Sequence, residues 1–124
     1  MEGTALELKE IIEFCKNELN IDINEIRVSG GVSRSRIWRQ IRADVTQVKI
    51  AKLAVDDATL LGDAIFAMIA SGITKDVESI IRSWVRIESV NTPNLNNREI
   101  YDKCYRLYKE LYGALRHIYS KHVF

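Results

Sequence analysis

The chain has 124 residues, 47% of them hydrophobic, which fits one domain of ordinary size able to bury a core without disulfide or metal staples. Its 18 Lys plus Arg against 17 Asp plus Glu leave a formal charge of +1, so composition gives no general reason to expect nucleic acid or an acidic membrane as partner. No apolar run approaches the ~18 residues that span a bilayer, no basic-then-apolar leader opens the chain, and Cys15 and Cys104 lack Cys or His neighbours at metal-ligand spacing; a cytoplasmic protein with two free thiols is expected.

In chain order, the pattern first predicts a helix from Thr4 to Leu19, with Thr4 as N-cap, Glu7 completing a capping box, and Leu8, Ile11, Ile12, Cys15 and Leu19 on the buried face. Ile26 and Val28 then mark a short strand that stops at Gly30 and Gly31. Ser33 is placed to cap a helix to about Val45, with Ile37, Trp38, Ile41 and Val45 on its apolar face and Arg34, Arg36, Arg39 and Arg42 on the solvated remainder. Val48 to Leu53 alternates as a second strand, and a crossover helix between the two implies that they run parallel. Asp56 or Asp57 caps a third helix to about Ala70, apolar nearly all round and therefore expected between layers. Thr74 opens a short helix through Ile80, Ile81 and Trp84, and Val85 to Leu95, with the single proline Pro93, reads as a turn or exposed arm. A last helix runs from Asn97 to about Ser120, with Tyr101, Cys104, Tyr105, Tyr108, Leu111, Tyr112, Leu115 and Tyr119 in one stripe that is core or subunit contact. The fold class is α/β, with short parallel strands and covering helices. Two strands among five helices make an awkward free-standing sheet, a first sign of an excised piece.

Chemistry concentrates at the glycine turn. Between Arg27 and Lys52 lie seven basic residues and one acidic, Asp44, and the amides that open a helix after a glycine turn suit an anion, most often phosphate. A tight βα connection is the plain structural alternative. The turn is not a Walker A loop, since Ser33-Arg34-Ser35 stands where Gly-Lys-Ser/Thr is required, and no further glycine supplies a dinucleotide fingerprint. Asp56 and Asp57 could attract magnesium, but helix capping explains them more simply. His117 and His122 are five apart, whereas a helical metal pair wants four, and neither has a candidate nucleophile beside it.

The run from Val28 to Val45, Val28-Ser29-Gly30-Gly31-Val32-Ser33-Arg34-Ser35-Arg36-Ile37-Trp38-Arg39-Gln40-Ile41-Arg42-Ala43-Asp44-Val45, resembles the glycine-turn segment of the FGGY carbohydrate kinases, above all the xylulokinase-like branch. Three later pieces agree in order: Asp57-Ala58-Thr59-Leu60-Leu61-Gly62-Asp63-Ala64 with the family's Glu-Ala-x-Ala-Leu-Gly-Ala-Ala helix, Ala70-Ser71-Gly72 with its stop, and Pro93 with Tyr101, Tyr105 and Tyr108 with its tyrosine-rich final helix. Val32 replaces a third glycine and Asp63 an alanine, so a β-branched side chain enters the nucleotide's path and a carboxylate enters the apolar helix.

The resemblance implies an actin-like (ribonuclease H-like) ATPase fold, with residues 1–124 as the C-terminal part of the second, nucleotide-binding domain. It implies ATP and Mg2+ as cofactors, the metal held mainly through the nucleotide and residues outside this chain. Gly30, Gly31, Ser33, Arg34 and Ser35 form the implied nucleotide-binding set, with the glycines at the α-phosphate, Ser35 towards the adenine, and Arg34 and Arg36 nearest the turn. No residue here matches the family's catalytic aspartate, so the chain alone is expected to be inactive. The implied activity is transfer of the ATP γ-phosphate to a sugar hydroxyl, with D-xylulose the expected sugar and gluconate or another polyol the other choice. The sugar would be bound mainly outside this chain. Two other readings stand beside it: a nucleic-acid module gripping through Arg34, Arg36, Arg39 and Arg42, and an association domain, such as a homodimer, built on the tyrosine stripe.

Overall fold

The computed structural model describes residues 1–121, so His122 lies outside the described residues. Helix α1 (Glu2–Leu19) starts two residues before Thr4. Thr4 is not its cap: the Thr4 hydroxyl donates to the Met1 carbonyl from within the first turn (2.9 Å). The chain leaves α1 through Asn20 in the left-handed region, φ 55, whose N–H returns to the Cys15 carbonyl. Its packed stripe is also displaced from the expected one. Ala5 and Lys9 are buried and Leu8 and Ile12 half-buried, whereas Ile11 and Leu19 face outward, because α1 packs along the helix of residues 36–46 while Lys9 reaches Asp102 on the last helix.

Strand β1 (Glu25–Val28) runs parallel to β2 (Lys49–Leu53) in the register Ile26↔Ile50 and Val28↔Lys52, as the crossover predicts. The connection is two helices rather than one: α2 (Gly30–Arg34) and α3 (Arg36–Thr46), broken by extended backbone at Ser35. Ser35, and not Ser33, caps α3, its hydroxyl oxygen accepting from the Trp38 N–H (3.2 Å). The core sits where α3 crosses the sheet: Val28, Ala43 and Ile50 are buried together with Ile26 against them. Filling that site with Ile50, fully buried, is worth roughly 1.5–3 kcal/mol relative to exposure.

The stretch expected as an arm is a strand. β3 (Ile87–Asn91) pairs antiparallel with β2, Ile50 opposite Asn91 and Ala51 opposite Val90, so the sheet is mixed, in the order β1-β2-β3, rather than purely parallel. Polar Glu88, Ser89 and Asn91 break the apolar alternation that announces a strand, but Glu88 pairs with Lys52 of β2 (2.6 Å) and Asn91 is buried.

Helix α4 (Ala58–Ala70) is capped by Asp57, whose carboxylate accepts from the Thr59 and Leu60 N–H groups. α5 (Val77–Trp84) is capped by Asp76 accepting from Ser79, while Thr74 accepts from the Asp76 N–H one turn earlier and opens no helix. The expected burial of α4 between layers is not found: only Ile65 is buried, while Leu60 is 66% and Phe66 72% exposed, since α4 packs mainly on α5. Asp63 on that helix is turned to solvent.

A 3-10 turn (Leu95–Asn97) leads into α6 (Arg98–Tyr119), close to the predicted bounds. Of the tyrosine stripe, Tyr105 is buried, Tyr101 and Tyr108 are half-buried, and Cys104, Leu111, Tyr112 and Tyr119 are exposed. A polar seam joins α6 to α1. The Lys9 ammonium donates to Asp102 (2.6 Å) and lies 4.9 Å from the centre of the Tyr105 ring, whose hydroxyl donates to Glu13 (2.9 Å). The hydrogen bond from Lys9 holds the Asp102 carboxyl below its ordinary value. Burial, reinforced by Glu13, pushes the Tyr105 phenol up, and burial with nearby carboxylates does the same to Tyr101 and Tyr108. His117 is exposed on α6 with its Nδ1 2.8 Å from the Ala114 carbonyl.

Candidate functional site

The glycine junction lies at the C-terminal end of β1, beside the loop that leaves the C-terminal end of β2. In open α/β sheets ligands bind outside the carboxyl ends of the strands. Gly30 follows Ser29 directly and has φ +69, a left-handed backbone that glycine adopts without a Cβ penalty. Its N–H donates to the Asp56 carbonyl (2.9 Å), tying the exits of the two parallel strands together. Gly31 needs no unusual backbone, and a Cβ built on it meets no atom within 4 Å. The junction is therefore an open ledge, with room for a ligand over Gly31.

The five residues expected to bind nucleotide divide into two groups. Gly30, Gly31, Arg34 and Ser35 lie at or near the surface of the ledge. Ser33 is fully buried, and its hydroxyl donates to the Gly30 carbonyl (2.7 Å), closing the first turn of α2 from beneath. Val32, at the place of the third glycine, is half-buried.

The arginines do not form one solvated face. Arg34 and Arg36 are exposed, but Arg39 is 7% exposed and Arg42 lies over the Trp38 ring, 5.2 Å from its centre. The Arg39 guanidinium donates through Nη1 to the Ser33 carbonyl and through Nε to the Asn91 Oδ1 (3.0 Å). A grip on nucleic acid through four arginines is thus not built here, because two of the four are spent inside the fold.

Beyond Arg39 lies a polar network that the sequence reading missed. Asn91 Nδ2 donates to Gln40 Oε1 (2.9 Å), and Gln40 Nε2 donates to Asp44 Oδ1 and to the Thr92 carbonyl. Asp44, 4% exposed, also accepts from the Asn94 N–H and the Asn97 side-chain amide (both 2.8 Å). Gln40 and Asp44 stand at i and i+4 on α3, a spacing visible in the sequence. Asn91 gave no such signal, lying in a stretch read as an arm.

A sequence model of the C-terminal domain of the FGGY family of carbohydrate kinases matches residues 1–71. The xylulose kinase of Staphylococcus epidermidis is 30% identical over 118 residues, covering 95% of this chain and 24% of that protein. A glycerol kinase of Clostridium perfringens is 32% identical over 110 residues, 89% of this chain and 22% of that protein. The crystal structure of ligand-bound xylulose kinase from Lactobacillus acidophilus superposes with a TM-score of 0.80 at 25% identity, over 96% of this chain and 24% of that one. The chain thus spans about a quarter of the length of the relatives it matches, and its mixed sheet with covering helices is part of an actin-like (ribonuclease H-like) ATPase fold. The chain belongs to the FGGY family of carbohydrate kinases, through the C-terminal domain of that family.

Proposed function

We propose that residues 1–124 are the later part of the nucleotide-binding domain of an ATP-dependent sugar kinase, and that the Gly30–Gly31 ledge carries the α-phosphate side of ATP. The observation that supports this most directly is the ledge itself: a left-handed glycine at the end of a parallel strand, with clear space over Gly31, in a chain of a carbohydrate-kinase family. Arg34 supplies positive charge beside the phosphates, Ser35 lies towards the adenine, and Ser33 holds the ledge from within. In the reaction the sugar hydroxyl oxygen attacks the γ-phosphorus, the bond to the ADP oxygen breaks, and the hydroxyl proton passes to a base outside this chain. Such transfer depends on positioning and charge stabilisation, which a partial site can contribute without a nucleophile of its own.

The reading gives Mg2+ to the nucleotide's own phosphates and to residues outside the chain. D-xylulose is the proposed sugar, supported by the xylulose kinases of Staphylococcus epidermidis and Lactobacillus acidophilus; the glycerol kinase at similar identity makes glycerol the comparison substrate. The cytoplasm, which supplies ATP, is the proposed compartment.

Titration of the chain with MgATP, followed at the Gly30, Gly31 and Ser35 amides, tests the reading. Saturable shifts confined to the ledge are expected, and an unresponsive ledge overturns it. With D-xylulose and MgATP together the chain alone should form no sugar-dependent ADP.

A further inference from the structure

The ledge is fastened at both ends. Its front is held by the Gly30 N–H on the Asp56 carbonyl, and its rear by the Arg39 guanidinium on the Ser33 carbonyl. Between them, the Gly31 surface is open. Arg39 is nearly fully buried, and its hydrogen bonds go to neutral oxygens, the Ser33 carbonyl and the Asn91 side chain. A buried cation set against neutral oxygens is a costly arrangement. What it supplies is geometry: a rigid guanidinium fork spans two oxygens at fixed separation, which a lysine cannot do. Arg39 can only donate, so Asn91 must turn its oxygen to it, leaving the Asn91 amide for Gln40 Oε1 (2.9 Å). The orientation of Asn91, at the end of β3, therefore fixes where Arg39 holds the rear of the ledge.

We propose that Arg39 is a positioning residue for the nucleotide, aligned by Asn91, and that it sets the pitch of the Gly30–Arg34 segment without touching the ligand. This rests on the nucleotide reading given above. It adds that β3, remote in sequence from the ledge, governs how well the ledge holds its ligand.

The test compares the 15N-labelled chain with Asn91→Leu, Asn91→Asp and Arg39→Lys, reading amide exchange at Val32, Ser33 and Arg34 without nucleotide, and the MgATP dissociation constant at Gly31. Asn91→Leu and Arg39→Lys should each speed exchange on the ledge and weaken MgATP roughly tenfold, whereas Asn91→Asp, which keeps an oxygen for Arg39, should stay within about twofold of wild type. The β1–β2 ladder amides should not change, which separates positioning from general loosening. If Asn91→Leu fails to fold, Arg39→Lys carries the same comparison with charge and stem retained. Wild type that ignores MgATP overturns the nucleotide reading and this proposal with it. Wild type that binds, with Asn91→Leu or Arg39→Lys unchanged in affinity, overturns the proposal alone.

Discussion

At the residue scale, the two glycines of the ledge do different work. A side chain at Gly30 would have to sit at φ +69, at a cost of roughly 1–2 kcal/mol. Gly30→Val should therefore lower the thermal midpoint and disturb the bond to Asp56. Gly31→Ala should leave the midpoint close to wild type, because its Cβ meets nothing within 4 Å, while the proposed nucleotide site requires that it weaken MgATP. A Gly31→Ala variant with unaltered affinity would remove Gly31 from the site. Ser35→Ala should cost about 1 kcal/mol in urea unfolding through loss of the α3 cap. Gly30 was legible because few residues can follow a strand with a left-handed turn, and Gly31, with ordinary backbone, only as its neighbour in the turn. The cap was not, since Ser33 and Ser35 are chemically alike and only the break between α2 and α3 distinguishes them. Arg39 has the sequence signature of a solvated residue because an arginine's destination depends on what β3 offers it, and the weak alternation of β3 hides that strand.

At the element scale, the seam between α1 and α6 makes stability depend on pH in two directions. The Asp102 carboxyl lies below its ordinary 3.8 in the fold, so in acid the unfolded chain takes up that proton first. The contribution of the Lys9–Asp102 pair is complete above the ordinary carboxylate value and is lost as pH falls through the lowered one. Tyr101, Tyr105 and Tyr108 are raised above 10.0, so their contribution holds below that value and is lost as pH rises beyond it. Urea midpoints at pH 3 and pH 6 should differ less in Lys9→Met than in wild type; an equal difference would show that the pair carries none of the acid sensitivity. Sequence periodicity placed α1 and α6 well but misjudged what lies between them. A buried lysine at position 9 breaks the apolar stripe, and its partner is 93 residues away in sequence. β3 escaped for a related reason, since its ladder and the Lys52–Glu88 pair stabilise a strand whose own alternation is weak.

At the scale of the whole molecule, large apolar side chains stand uncovered: Leu60 and Phe66 on α4, Ile73 after it, and Trp84 on α5. Scattered exposed leucines are ordinary, but a helix apolar nearly all round with a single buried residue marks a surface awaiting cover. The chain alone should self-associate at high concentration in light scattering, and Leu60→Gln with Phe66→Ser should suppress this without changing the MgATP shifts at the ledge. Composition made it legible that α4 needs cover on several sides. It carried no trace of what does the covering, because an apolar helix specifies burial and not the identity of its neighbour.

Among the described residues the sheet order leaves β1 with a strand on one side only. Two of its four residues are charged, and Arg27 and Glu25 are paired with each other (3.0 Å). An open edge is a template on which another copy's strand can lengthen the sheet, and charges on a short edge strand oppose that pairing. Any natural extension of the sheet must accommodate the same two charges. Glu25→Val with Arg27→Val should thus send the protein into inclusion bodies, even though neither residue belongs to the core or touches the ledge.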